Sequence, residues 1–258
     1  MMPTRQEREY IMRMALAVTA ALIGTTSAAH AEEPKVYIAA FGGIDMPDDE
    51  RLDGTNADGQ LRDIDVLLGD DSVVGLALGV ATPEQSFGRF RGEIEASFRQ
   101  SDLGGLTLNG VAREVLDGSH VSVAAAMVNL SYDTPQLFDR LRFTAGAGFG
   151  VAAIDHQIRY LIAVPPAIGA FPGNVQIAIP STETTHAYQL IGGAEFALNK
   201  SFSLTADVRY FDLGNVQAER FILNSFIGGV PTTIGTLDSI LDADYATTSF
   251  TVGIRYQF

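Results

Sequence analysis

The twelve residues TTSFTVGIRYQF (247–258) alternate between apolar and polar without a break. Successive side chains of a β-strand point to opposite faces, so Phe250, Val252, Ile254, Tyr256 and Phe258 share one face. Thr251, Gly253, Arg255 and Gln257 share the other. The spacing predicts a two-faced strand that runs to the last residue of the chain.

The same period of two recurs seven more times. The further strands are expected at 36–44, 72–80, 88–99, 120–132, 141–153, 186–198 and 202–212. Each is about as long as a tilted strand needs to cross a bilayer, roughly 9–11 residues with some overhang. After the N-terminal segment few windows carry apolar residues at helical spacing. The connections between these spans alternate: 45–71, 100–119, 154–185 and 213–246 are long, whereas 81–87, 133–140 and 199–201 are short. Long loops at one end and tight turns at the other are the signature of an up-and-down barrel. The expected fold is therefore all-β, an eight-stranded antiparallel transmembrane barrel with short periplasmic turns and long extracellular loops.

The choice of outward face follows from residue type. The apolar faces carry large side chains and end in aromatics, among them Phe90, Phe98, Tyr132, Phe143, Phe149, Tyr188, Phe196, Phe202 and Tyr210. The polar faces are small or ionic, which suits a narrow lumen and makes a poor water-facing surface. With the apolar side toward lipid, the sheet must close, because hydrocarbon offers no partner for backbone amides. Span 36–44 should then pair with span 247–258.

The N-terminus reads as a cleaved secretory signal over 1–31. Arg5, Arg8 and Arg13 precede the apolar run 14–26 and the A-x-A site at 29–31. The remaining domain, 32–258, keeps 14 basic and 29 acidic residues once those three arginines, Glu7 and Glu9 are set aside from 17 and 31. That excess of negative charge argues against nucleic acid as a partner. The chain has no cysteine, so neither disulfides nor thiol chemistry contribute.

MVNLSYDT (127–134), FTAGAGFGVA (143–152), AYQLIGGAEFAL (187–198), DVRYFDLG (207–214) and VGIRYQF (252–258) resemble the small outer-membrane barrels of the porin superfamily, the opacity-protein and outer-membrane-protein-A-like group. The resemblance implies export to the cell outer membrane of a Gram-negative bacterium. It implies contact with outer-membrane lipid and lipopolysaccharide, and handling by periplasmic chaperones and the barrel-assembly machinery. In that group the terminal strand is the assembly signal, a role that would fall on Ile254, Tyr256 and Phe258. Larger members carry a peptidoglycan-binding domain after the barrel; this sequence ends on the strand, which speaks against such an anchoring role.

Alternation assigns ten ionic residues to the lumen: Arg89, Arg91, Glu93, Glu95, Arg99, Arg142, Glu195, Asp207, Arg209 and Arg255. Confined ions must pair, so Glu93 and Glu95 are expected to face Arg209, Arg142 or Arg255. Such a network either plugs the barrel or, if its pairs exchange partners, gates a narrow pore. The glycines of GFGVAA (148–153) fit a crowded lumen face better than a dinucleotide loop, which needs a following helix. The acidic span 45–71 tempts a calcium reading but lacks the EF-hand spacing; it is expected to be a solvated loop. The apolar spans 160–180 and 221–241 are expected to continue the strands as hairpins above the membrane and pack on one another, or to form a hydrophobic entry or a partner-binding surface. His120, His156 and His186 fall in no catalytic signature and Ser119 has no arguable acid partner, so no enzyme, catalytic residue, metal or cofactor is expected. The expected role is a structural and surface-exposed envelope protein, adhesin- or antigen-like, that meets a host or surface ligand through its loops. The alternative is a narrow channel for small or hydrophobic solutes.

Overall fold

In the computed structural model, which describes residues 34–138, 140–164, 173–227 and 230–258, the two ends of the folded chain lie side by side. The signal segment and the span 165–172 lie outside the described residues. Among the described residues a single sheet contains fourteen strands. In chain order they are β1 (Lys35–Pro47), β2 (Glu50–Asn56), β3 (Leu61–Leu68), β4 (Asp71–Ala81), β5 (Arg89–Leu108), β6 (Val111–Ala112) and β7 (Glu114–Val115). There follow β8 (His120–Asp133), β9 (Leu141–Val164), β10 (Gly173–Ala197), β11 (Phe202–Leu213), β12 (Val216–Ile227), β13 (Val230–Ala243) and β14 (Ala246–Gln257).

Strand β1 pairs with β14 from Tyr37 opposite Gln257 to Pro47 opposite Thr247. From β1 the ladder passes through β4, β5, β8, β9, β10 and β11 to β14, and so returns to its start. Every pairing on this circuit is antiparallel. A sheet closed in this way has no edge.

The long connections differ from expectation. Each of the eight expected spans lies within a strand, to within a residue at its ends, but β1, β5, β9 and β10 run well past them and most of the stretches read as loops are strand as well. Strands β5, β9 and β10 continue upward without interruption, and β2, β3, β12 and β13 stand above β1, β4, β11 and β14. Their pairings β5–β3, β3–β2, β2–β13, β13–β12 and β12–β10 carry the wall above the first circuit. The span 45–71 is therefore a hairpin, not a solvated loop, and Asp45 and Glu50 point inward and are buried.

The reason is visible in the side chains. In the lower circuit the large apolar residues are exposed, as in Leu76 (59%), Leu130 (65%) and Val252 (69%), while ions lie inside. Exposed aromatics form two rows: Phe90, Phe143, Phe196, Phe202 and Tyr256 near the short turns, and Phe98, Phe149, Tyr188, Tyr210 and Phe250 above them. The rows are six to eight residues apart along their strands, about 15–20 Å at ordinary rise and tilt, in keeping with a membrane band. Above the upper row the polarity inverts. Leu52, Ile64, Val66, Leu106, Ile154, Ile158, Tyr160, Ile177, Ile179 and Leu241 point inward into one apolar core, while Asp53, Asp65, Arg159, Glu219 and Asp242 point outward. The described parts of 160–180 and 221–241 thus pack on one another inside the barrel.

Candidate functional site in the barrel interior

Within the lower circuit, β5 supplies a column of alternating ions, and the facing strands supply its partners. Near the short turns Arg89 Nε donates to Asp133 Oδ2 at 2.7 Å and Arg89 Nη2 to Glu195 Oε2 at 3.0 Å. Arg91 Nε lies 3.2 Å from Asp133 Oδ1, and Thr144 Oγ1 donates to the same oxygen at 2.8 Å. Arg255 on β14 bonds Glu195 and lies 3.6 Å from Glu93, which also accepts the Tyr37 hydroxyl. One turn higher, Arg209 Nη1 donates to Glu95 Oε2 at 2.7 Å, with Asp207 3.6 Å from Arg209. Asn129 and Gln189 donate to Glu95 at 2.9 and 3.4 Å and complete its shell.

Aromatic faces cover the cations. The guanidinium of Arg209 lies 4.0 Å from the Phe41 ring centre, that of Arg255 4.7 Å from Tyr37, and that of Arg99 4.0 Å from Phe211. Such contacts strengthen as water is excluded. The glycines of β9 make room for this packing. A Cβ at Gly148 would run into Asn129, and one at Gly150 into the backbone of Ala126.

Of the ten ions assigned to the lumen, the structure joins Arg89, Arg91, Glu93, Glu95, Glu195, Asp207, Arg209 and Arg255. Arg99 lies at the next level, 3.5 Å from Asp45, whose carboxylate also accepts Ser249 Oγ. Arg142 is the correction. It faces neither Glu93 nor Glu95 but bonds Glu84 in the β4–β5 turn, at the rim. Arg142 is the second residue of β9, and its largely buried side chain reaches back toward the rim. Sequence reasoning missed Tyr37, Asp45, Glu50, Asp133 and His156. Parity would have found the first two, because Tyr37, Ala39, Phe41, Gly43 and Asp45 share a face, and Asp133 shares one with Asn129 and Ser131.

Above the ions, His156 Nε2 and Glu50 Oε1 meet at 2.7 Å, both fully buried. Ser119 and His120 do not act on each other: Ser119 Oγ donates to the carbonyl of Leu116, and His120 Nδ1 lies 3.1 Å from the carbonyl of Gly118. At the far end Arg220 bonds Tyr160 and Asp238, and Arg62 donates to Asp238 Oδ2 at 3.1 Å. Burial alone would raise the Asp238 carboxyl; the hydrogen bond from Arg62 and the charge of Arg220 outweigh it and hold the group below the usual carboxylate range.

An edgeless antiparallel sheet with an exposed apolar band between aromatic rows, and with ions turned inward, defines a membrane β-barrel. The family model of the outer membrane protein beta-barrel domain matches residues 15–258, and the chain belongs to that family. It is a protein of the cell outer membrane. No curated protein sequence matches it. Among solved structures it is similar to the outer membrane protein OprG from Pseudomonas aeruginosa, at 14% identity and a TM-score of 0.52, covering 89% of this chain and 98% of that one. It is also similar to AlkL, solved in DMPC lipid bilayers (20% identity, TM-score 0.43, coverage 91% and 95%). A third similarity is to Neisserial surface protein A (10%, 0.40, coverage 88% and 100%). At 14% identity the likeness to OprG speaks to fold alone.

Proposed function

We propose that the protein is a structural, surface-exposed barrel of the outer membrane, with its short turns in the periplasm and its upper hairpins outside the cell. The observation that carries this reading is the filled interior: ion pairs across the membrane band, the Glu50–His156 pair above them, and an apolar core above that. The cavity beside Arg91, Asp207, Arg209 and Arg255 measures about 20 Å³, room for about one water. A barrel so packed is a stiff stalk. It holds an acidic exterior, with Asp53, Asp65, Glu219 and Asp242 exposed, where lipopolysaccharide, host surfaces or antibodies would meet it. Planar-bilayer recording of the full chain tests this: silence is expected, and a reproducible conductance step would overturn it.

A second reading, a narrow gated channel, draws on one feature. Glu195 has Arg89, Arg91 and Arg255 within 4 Å, so its partners can be exchanged without leaving any ion bare. Under that reading Glu195→Gln would change the conductance step; under the structural reading it would only lower stability.

A further inference from the structure

Asp238 is the one ionic residue in the two apolar spans 160–180 and 221–241. It is also an extra residue in β13: Arg220 lies opposite Ser239 and Phe221 opposite Leu237, so the ladder bulges between them. A bulge re-aims a side chain, and here the carboxylate turns to the interior with 8% of its side chain exposed. Its Oδ2 accepts Arg62 Nε at 3.1 Å, Arg220 Nη1, and Ser239 Oγ at 3.2 Å. Arg62 reaches it from two strands away, past Gly54, which stands abreast of Arg62 in the ladder and has no side chain to obstruct it. Two guanidinium groups thus share one carboxylate, and the spot carries a surplus positive charge. Arg62, Arg220 and Asp238 are also the charges that bear on the Tyr160 hydroxyl, to which Arg220 Nε donates at 2.7 Å. The other ions of the neighbouring strands do not cancel the surplus. Glu50 is held by His156, and Asp63 is tied to Arg51 at 3.0 Å. Asp58, Glu114, Arg159 and Glu219 are exposed to water, where their charges are screened. The half-buried Arg113, whose amide bonds the Leu106 carbonyl, is one more cation.

An arginine does not give up its proton, so titration cannot relieve this surplus, and Arg220, with 2% of its side chain exposed, is out of reach of bulk water. Arg62 is the accessible partner, 16% exposed. Its other two nitrogens meet only neutral acceptors, the Leu61 carbonyl at 3.3 Å and Gln60 Oε1 at 3.4 Å. A charged acceptor would replace them with stronger bonds. The rim dips at this point, because β2 ends at Asn56, opposite Ser239, while β13 continues up to Val230. Two residues beyond Tyr160 and Arg220 along their strands stand Ile162 and Ile222, half-buried like Val175 opposite Ile162. We infer that this notch binds a small monocarboxylate with an apolar body. The carboxylate meets the surplus charge at Arg62 and Arg220, and the body lies on Ile162, Val175 and Ile222. A single negative charge matches the surplus, and the acidic exterior turns polyanions away. The site goes beyond the proposed function, since a silent barrel and a conducting one carry it alike.

The test uses the full chain in lipid nanodiscs, with the binding of benzoate and of its neutral counterpart benzamide measured by saturation-transfer NMR. The wild type should bind benzoate about tenfold more tightly than benzamide, the difference expected when a charge-assisted hydrogen bond is added. Arg62→Gln removes the surplus charge and should weaken benzoate by about tenfold, to the level of benzamide, while Arg62→Lys should keep most of the affinity. Asp238→Asn enlarges the surplus and should tighten benzoate severalfold, an effect that a merely structural role for Asp238 does not produce. Heat-modifiable migration checks that each variant is folded, and the wild-type comparison needs no variant. Equal binding of benzoate and benzamide by the wild type would overturn the inference, as would weaker benzoate binding in folded Asp238→Asn. Inorganic phosphate at the same concentration should leave benzoate bound; its displacement would overturn the assignment to an apolar monocarboxylate.

Discussion

Arg209 and Glu95 join opposite walls of the barrel, with Nη1 and Oε2 2.7 Å apart. Around the ladder, β11 is equally far from β5 in both directions, through β14, β1 and β4 or through β10, β9 and β8. The pair is a cross-beam. Glu95→Ala leaves the Arg209 charge buried opposite a void and should cost about 3–5 kcal/mol in detergent unfolding, whereas Glu95→Met with Arg209→Met should cost much less. Equal losses in the single and double variants would show that the beam bears no stress.

Gly148→Ala places a methyl against Asn129, which serves Glu95. We expect a loss of about 1–3 kcal/mol from overpacking. At Gly192, on the outer face, a Cβ meets nothing within 4 Å, so Gly192→Ala should be neutral within about 0.5 kcal/mol. Melting curves of the two variants decide it.

Acid should loosen the upper hairpins first. The Asp238 carboxyl is held below its unfolded value, so its contribution is complete above the ordinary carboxylate value of about 4 and is lost as pH falls through the lower, folded value. Hydrogen exchange in β12 and β13 should therefore accelerate as pH falls below about 4. Asp238→Asn should remove much of that dependence and raise exchange at neutral pH. An unchanged acid profile in the variant would assign the effect to other carboxylates.

Truncating Phe258 should separate assembly from stability. The ring is 74% exposed, so Phe258→Ala should leave the melting of refolded protein nearly unchanged. If Ile254, Tyr256 and Phe258 form the assembly signal, the amount reaching the outer membrane should fall severalfold. Fractionation with heat-modifiable gels measures both, and normal membrane levels would dismiss the signal.

How much of this was legible in the residues themselves follows from what alternation can report. Alternation identifies a face, so it placed Arg255 inside and Tyr256 outside, and it offered Arg209, Arg142 or Arg255 as partners for Glu93 and Glu95. It does not report height along the barrel. Arg142 has the right parity, yet it is so near its turn that Glu84 captures it. The strands β2 and β3 escaped for a different reason. In Glu50–Arg51–Leu52–Asp53 the inward residues are Glu50 and Leu52, an acid and an apolar side chain, because there the exterior meets water instead of lipid. A stretch rich in aspartate reads as loop unless the inverted pattern is sought. Glu50 and His156 are 106 residues apart, and only the closed ladder brings them together.

The inversion of polarity along β9 and its neighbours fixes the draught at which this molecule floats. A vertical slip of two residues, about 5 Å along the bilayer normal, would submerge Asp155 and its neighbours and lift bare phenylalanine into water. When the surrounding bilayer thins or thickens, the lipids must therefore do the adjusting. The waterline is written into the chain.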